Sequence, residues 1–470
     1  MKPNPIKSIM QMTLLLAAAA VFLGALAVRL RAQEKPRTDA DINAMLDRCV
    51  VEQRRAPGLV VGIIDDKGAR LFCKTSPENG TGGEVNGDTV FEIGSITKVF
   101  TGLLLEEMVE SGEVKLDDPI GKFLPASVTT PARNGRQITL LDLATQTSGL
   151  PRMPDNFAPK DDGNPYADYT VAQLYDFLSR YELKRDIGEK YEYSNLGGGL
   201  LGHVLALRAG TNYETLVVRR ICDPLGMSST RITLPPELKS RLATGHNSSG
   251  MPVKNWDIPT LAGAGALRST ANDMLKFVAA NIGLTNSSLS NAMRQTHQPR
   301  HSGGLFRKIG LMWQIDSAND TVWHNGGTGG YRSYIGFKAE KRRGVVVLAN
   351  SANDMDDIGQ YLLGDRSDVK DFQAPKARKV AHVDPRVFDD FVGQYQFSTA
   401  PVTMTMTREG NRLFGQITGQ QKIEFFPESE TDVFCTVVDA QMTFVKDSAG
   451  KVTHLILHQN GIDQKVTKVK

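Results

Sequence analysis

The chain has 470 residues, of which 40% are hydrophobic and 23% charged, and its formal net charge is +3. That composition is ordinary for a globular protein, and the length is too great for one compact core, so two or three domains are expected. With no stripe of Lys and Arg and so small a net charge, nucleic acid is excluded as the expected partner.

Lys2 and Lys7 precede an uncharged stretch, residues 8–28, and Ala25-Leu26-Ala27 offers a small-x-small cleavage site. This is the pattern of a secretory signal peptide, expected to occupy residues 1–32. The alternative is an uncleaved anchor, because residues 8–28 are long enough to cross a bilayer as a helix. Both readings place the rest of the chain in the periplasm or outside the cell. The four cysteines, Cys49, Cys73, Cys222 and Cys435, include no C-x-x-C. They read as buried free thiols, with Cys49–Cys73 the first pair to consider if a bridge forms.

Next, Ile42, Met45, Leu46, Cys49 and Val50 mark one face of a helix over 39–53. Runs 58–64 and 69–73 read as a hairpin about Asp65-Asp66-Lys67-Gly68. A helical middle follows over about 95–284. Strand-like segments then return at 309–315, 321–323, 331–338 and 344–350, before a last helix near 355–363. Helix, strands, a helical middle and strands again imply an α+β class in which both ends share one antiparallel sheet. Residues 367–385 read as a polar linker between a main domain, 33–366, and a tail, 386–470. In the tail, 402–408 alternates strictly and short β-like runs continue to 457, the pattern of a small barrel or sandwich.

Ser95-Ile96-Thr97-Lys98 follows an apolar run and opens an apolar helix. Residues three apart share a helix face, so Lys98 meets Ser95, and the helix start offers N–H groups to an oxyanion. A hydroxyl needs a base, and burial turns Lys, with its reference pKa of about 10.4, into one. Two other S-x-x-K runs, Ser367–Lys370 and Ser448–Lys451, lie in the linker and in a turn. Tyr193-Ser194-Asn195 is the only Y-x-N, followed by Gly197-Gly198-Gly199, which suits a loop of close backbone approach. A Tyr hydroxyl relays a proton and an Asn holds an amide. His324-Asn325-Gly326 ends a strand and leads into Gly327, where a glycine-rich edge offers bare N–H donors. The competing H-x-G at His301 lies in a polar loop and reads as structural. G-x-S-x-G, H-E-x-x-H and Walker signatures are absent. His454 and His458 share a strand face, a spacing that does not by itself specify a metal site.

The three motifs in this order resemble those of the penicillin-recognising serine hydrolases: class C-type β-lactamases, D-Ala-D-Ala carboxypeptidases and related esterases. Phe91-Glu92-Ile93-Gly94, Lys115-Leu116-Asp117-Asp118-Pro119, Thr147-Ser148-Gly149-Leu150 and the run from Gly263 to Thr270 extend the resemblance over roughly 42–363. It implies a β-lactamase/transpeptidase-like antiparallel sheet flanked by helices, an all-α subdomain, and an appended small β-barrel. Ser95 would be acylated, and Lys98 and Tyr193 would share the proton transfers. Asn195 would orient the substrate amide, and the N–H groups of Ser95 and Gly327 would form the oxyanion hole. His324, Asn325, Gly326 and Gly327 would line the substrate. No metal or cofactor is implied. The partner is a small-molecule or peptide substrate, a peptidoglycan stem peptide or β-lactam. Where many β-lactamases have Lys, this chain has His324, whose reference pKa of about 6.5 leaves it mostly uncharged at neutral pH. In its protonated form it would favour a substrate carboxylate, and Arg332 is the candidate to replace the missing charge. The alternatives are an esterase or D-stereospecific peptidase on small substrates, and a penicillin-binding sensor or scaffold that acylates without turnover.

Overall fold

The computed structural model describes residues 37–77, 83–305, 307–373, 380–397, 402–418, 422–435, 440–459 and 462–470. The expected signal peptide or anchor therefore lies outside the described residues. Helix α1 (Asp39–Asp47) starts where Thr38 and Asp41 cap one another reciprocally.

An eight-stranded antiparallel sheet carries the main fold. In chain order its strands are β1 (Gly58–Asp65), β2 (Gly68–Thr75), β3 (His301–Ser302), β4 (Arg307–Ile309), β5 (Gln314–Asp316), β6 (Thr321–Gly327), β7 (Arg332–Lys338) and β8 (Arg343–Ala349). Across the sheet the order is β2-β1-β8-β7-β6-β5-β4-β3. The amino-terminal hairpin thus pairs with the last strand, from Leu59 opposite Ala349 to Ile64 opposite Gly344. Both ends of the domain share one sheet, as the order of elements implied. β1, β7 and β8 are buried along almost their whole length, and β1 and β8 are rich in Val and Ile, the composition of strands covered on both faces.

Helix α2 (Thr97–Glu110) is buried on every face from Thr97 to Glu106, the mark of a helix at the centre of a domain. Two further helices frame the motifs, α3 (Asn195–Arg208) and α4 (Ala271–Asn281). Leu275 and Val278 of α4 cover Gly62 and Gly344 on one sheet face. On the other, α5 (Asp356–Leu363) sets Leu363 over Gly336 and Gly359 over Tyr334.

Three expectations are corrected. The glycine run after Asn195 is not a loop but the first turns of α3. Its glycines make room for the Lys98 stem at Gly198, Leu261 at Gly199 and Gly263 at Gly202. His301 lies in a short edge strand, bonded in register to Ile309. Cys73 is an exposed thiol, and Cys49, Cys222 and Cys435 are buried and unbridged, so Cys49 and Cys73 do not pair.

The tail forms a closed eight-stranded barrel: β9 (Gly393–Phe397), β10 (Thr403–Glu409), β11 (Arg412–Ile417), β12 (Lys422–Pro427), β13 (Asp432–Cys435), β14 (Gln441–Lys446), β15 (Val452–Gln459) and β16 (Ile462–Lys468). Met404, Met406, Leu413, Phe444, Leu455 and Val466 fill its own core, each on the inward beat of a period-two strand. Phe388 and Phe391 join that core, with Phe391 stacked on Phe444 at 3.8 Å. His458 binds Asp463 and Thr443 while His454 binds Thr453, so these histidines do not share a ligand. A barrel with a separate core gives the first testable expectation. A chain ending at Gln373 should stay soluble and retain an acylable Ser95; recovery only as insoluble protein would show that the barrel completes the main fold.

Candidate active site

Ser95 lies in a single 3-10 turn, Gly94–Ile96, that runs directly into α2. One turn on, the side chain of Lys98 is wholly buried. Its Nζ reaches three oxygens: Ala264 O at 2.7 Å, Asn195 Oδ1 at 2.9 Å and Ser95 Oγ at 3.0 Å. The two carbonyl oxygens can only accept, so two N–H groups point at Ala264 and Asn195. The third direction faces the Ser95 hydroxyl. A neutral amine there presents its lone pair, and the serine proton has somewhere to go. Burial, then the charge of Arg152, hold the Lys98 pKa well below the ordinary lysine value. The geometry and the electrostatics both describe a base.

Tyr193 stands on the other side of the serine, with Lys98 Nζ 4.8 Å from its ring centre. Burial pushes its phenol up to about 12, against the opposing pull of a hydrogen bond with Ser95 and the charge of Arg152. Tyr193 is therefore protonated at neutral pH, placed to donate rather than to abstract. Asn195 is held at both ends, accepting from Lys98 and donating from Nδ2 to the Tyr166 hydroxyl at 3.1 Å. Ser194 caps α3 by accepting from Gly197 N–H at 2.8 Å, and its backbone N–H is taken by Gln146 Oε1 at 2.7 Å.

β6 runs to Gly327 instead of ending at His324, and its end lies directly against the serine turn. A Cβ on Gly326 would stand 2.0 Å from Ile93 O, and one on Gly94 would stand 2.6 Å from Gly327 N. Gly94 also has φ +48, a conformation that glycine adopts without strain. Ser333 Oγ donates to Ile93 O at 2.9 Å and ties the two segments together. The result sets the backbone of Gly327 beside Ser95, where two N–H groups can converge on an oxyanion.

Register decides the remaining motif residues. His324, opposite Ile335, faces the helix α2 side and lies 6.3 Å from the Tyr193 ring. Its Nδ1 is 2.6 Å from Asn325 O, and burial above all pushes its pKa down to about 3. The ring is thus neutral, and the expectation that its protonated form meets a substrate carboxylate is corrected. Asn325 points to the opposite face, where its amide donates to Asp356 at 2.6 Å at the start of α5. Burial, then Asp354, push that carboxyl up to about 7. The Arg332 guanidinium donates to Thr328 O and Tyr331 O, at 2.9 and 3.0 Å. The rival serines are not assembled in this way: Ser367 lies in a bend and Ser448 in a barrel turn.

Three contributors escaped the sequence reading. Ala264 acts through a backbone carbonyl, for which no side chain gives a signal, although its Gly-Ala-Gly-Ala run was visible. Tyr166 closes a wall with Trp256, ring centres 5.5 Å apart. Arg152 sets its guanidinium 5.2 Å over the Tyr193 ring.

Two expectations follow for catalysis. Lys98→Ala and Tyr193→Phe should each lower kcat by about 10²–10⁴-fold, and the double variant should lose far less than the product of the two, because they handle one proton path. Full multiplicativity would separate them. For His324, the ratio of kcat/KM on carboxylate-bearing and neutral substrates should stay flat from about pH 5 to 8, since the ring is neutral throughout. A step near pH 6.5 that is lost in His324→Ala would contradict the buried neutral ring.

A family model described as Beta-lactamase matches residues 40–364, and one described as Domain of unknown function (DUF3471) matches residues 377–469. Among curated proteins, the chain is 29% identical over 341 residues to the D-alanyl-D-alanine-carboxypeptidase/endopeptidase AmpH of Escherichia coli (strain K12), covering 66% of this chain and 86% of that one. It is 28% identical over 350 residues to a Beta-lactamase of the same strain, covering 66% and 89%. Among solved structures, a Beta-lactamase/D-alanine Carboxypeptidase from Yersinia pestis superposes with a TM-score of 0.60 at 26% identity, covering 70% of this chain and 99% of that one.

Proposed function

We propose that this chain, which belongs to the beta-lactamase family and is a serine hydrolase, is exported and cleaves amide bonds of D-Ala-D-Ala-type peptides or β-lactams through an acyl-enzyme on Ser95. The observation that carries the reading is the buried Lys98 amine, 3.0 Å from Ser95 Oγ with two of its directions committed to carbonyl oxygens. Ser95 Oγ attacks the carbonyl carbon while its proton passes to Lys98 Nζ. The oxyanion is held by the N–H groups of Ser95 and Gly327, and the Tyr193 hydroxyl protonates the departing amine and is reprotonated from the Lys98 ammonium. Water then attacks the ester, its proton returning through the same pair, and free Ser95 is restored. Asn195 keeps the lysine in place throughout and presents its amide to the acyl chain. The signal-like leader supports export.

A fluorescent penicillin tests the reading. Mass spectrometry should place a single adduct on the peptide containing Ser95, with no labelling of Ser95→Ala, and a bis-D-Ala peptide should release D-Ala. An adduct elsewhere would overturn the mechanism. A stable Ser95 adduct without any turnover would favour a penicillin-binding sensor, and hydrolysis confined to small esters would favour an esterase.

A further inference from the structure

We propose that Arg152 forms the anion subsite of this active site and binds a carboxylate carried by the leaving group. This deepens the reading above, since a terminal D-Ala is such a leaving group. Arg152 follows the Ser148-Gly149-Leu150-Pro151 turn, and its own backbone fixes where it stands. Its carbonyl accepts from Asn195 N–H at 3.0 Å and from Leu196 N–H at 3.1 Å, so the residue is bolted to the second motif at the start of α3. From there the exposed side chain carries its guanidinium over the face of Tyr193, 5.2 Å from the ring centre. Tyr193 is the group that hydrogen-bonds Ser95 and delivers the leaving-group proton. A charge over that ring is therefore beside the leaving group, not beside the acyl chain.

The other basic side chains of the site are accounted for. Lys98 Nζ is buried and engaged by Ala264 O, Asn195 Oδ1 and Ser95 Oγ, and His324 is a buried neutral imidazole, so neither is free to meet an anion. Arg332 donates to Thr328 O and Tyr331 O and faces Asp354 and Asp356, which answer its charge from the α5 side. Arg152 has no such partner. Asp155, the nearest acid along the chain, is ion-paired with Arg180, and among the described residues no carboxylate pairs with Arg152. A planar guanidinium on an exposed side chain beside Tyr193 matches a carboxylate in shape and charge. It also explains how a chain with a neutral residue at the first position of its third motif can still select an anionic leaving group.

The test uses two esters that require no peptide recognition, so it stands whether or not D-Ala peptides are substrates. They are 3-carboxyphenyl acetate and its uncharged 3-carbamoylphenyl counterpart, whose leaving groups differ in charge but little in size. The full-length enzyme should favour the carboxylate, and added salt should shrink that preference. Arg152→Ala should lower the carboxylate-to-carbamoyl ratio of kcat/KM by about 10- to 100-fold, with Arg152→Lys restoring part of it. Equal losses on both esters would assign Arg152 a structural role and overturn the proposal. So would an unchanged ratio, or a ratio that collapses in Arg332→Ala instead. Failure of D-Ala release with the ester result intact would count against the peptide reading alone.

Discussion

The amine of Lys98 is completely buried, and much of the catalytic architecture follows from giving it partners. A buried ammonium without compensation is costly, so the group is held neutral, and its two N–H bonds must still find acceptors. One is the carbonyl of Ala264, in a turn of small residues that lets the backbone reach the amine; the other is Asn195. The stem needs space too, which Gly198 of α3 provides by leaving its Cε room that a Cβ would narrow to 3.0 Å. The S-x-x-K, Y-x-N and Gly-Ala-Gly-Ala segments are therefore three sides of one buried nitrogen. The fourth side is the serine.

The second constraint is backbone proximity at the end of β6. Gly94 and Gly326 allow a strand and a helix-leading turn to meet closer than side chains permit, and Ser333 fastens the contact. That strand holds its place because β7 and β8 pin it in register to β1, a hairpin more than 200 residues earlier in the chain. The period-two alternation of β6 then divides the third motif, with His324 facing the serine and Asn325 facing α5. The motif reads as one unit in sequence and acts on two faces in space.

Much of this was legible beforehand, for identifiable reasons. The hairpin about Asp65-Asp66-Lys67-Gly68, the strands at 321–323, 331–338 and 344–350 and the helix near 355–363 carried strong periodicity and clear turn residues, whereas the run 309–315 is split into β4 and β5 by residues 310–313. Ser95 could be told from Ser367 and Ser448 because only Ser95 follows an apolar run and opens an apolar helix. The glycines after Asn195 were misread because glycine signals close approach without saying whether a loop or a helix makes it. His324 kept its reference charge in a sequence reading, since burial by residues far away along the chain is invisible there. Ala264 and Arg152 were missed for a related reason. One acts through its carbonyl, and the other is tied to α3 by a backbone contact spanning 43 residues. In the tail, β9, β12 and β16 escaped notice; in β12, Lys422, Ile423 and Glu424 are all half-buried and leave no alternation to read.

The protonation state of Lys98 is the claim on which the mechanism turns, and it can be measured directly. Carbon-13 NMR of protein labelled at the lysine ε-carbon, with the Lys98 resonance assigned by its loss in Lys98→Ala, would follow that one amine through a pH titration. The account expects a neutral-amine shift at about pH 8, with the titration centred well below the ordinary lysine value of about 10.4. An ammonium shift that persists to about pH 10 would contradict it and move the role of base to Tyr193.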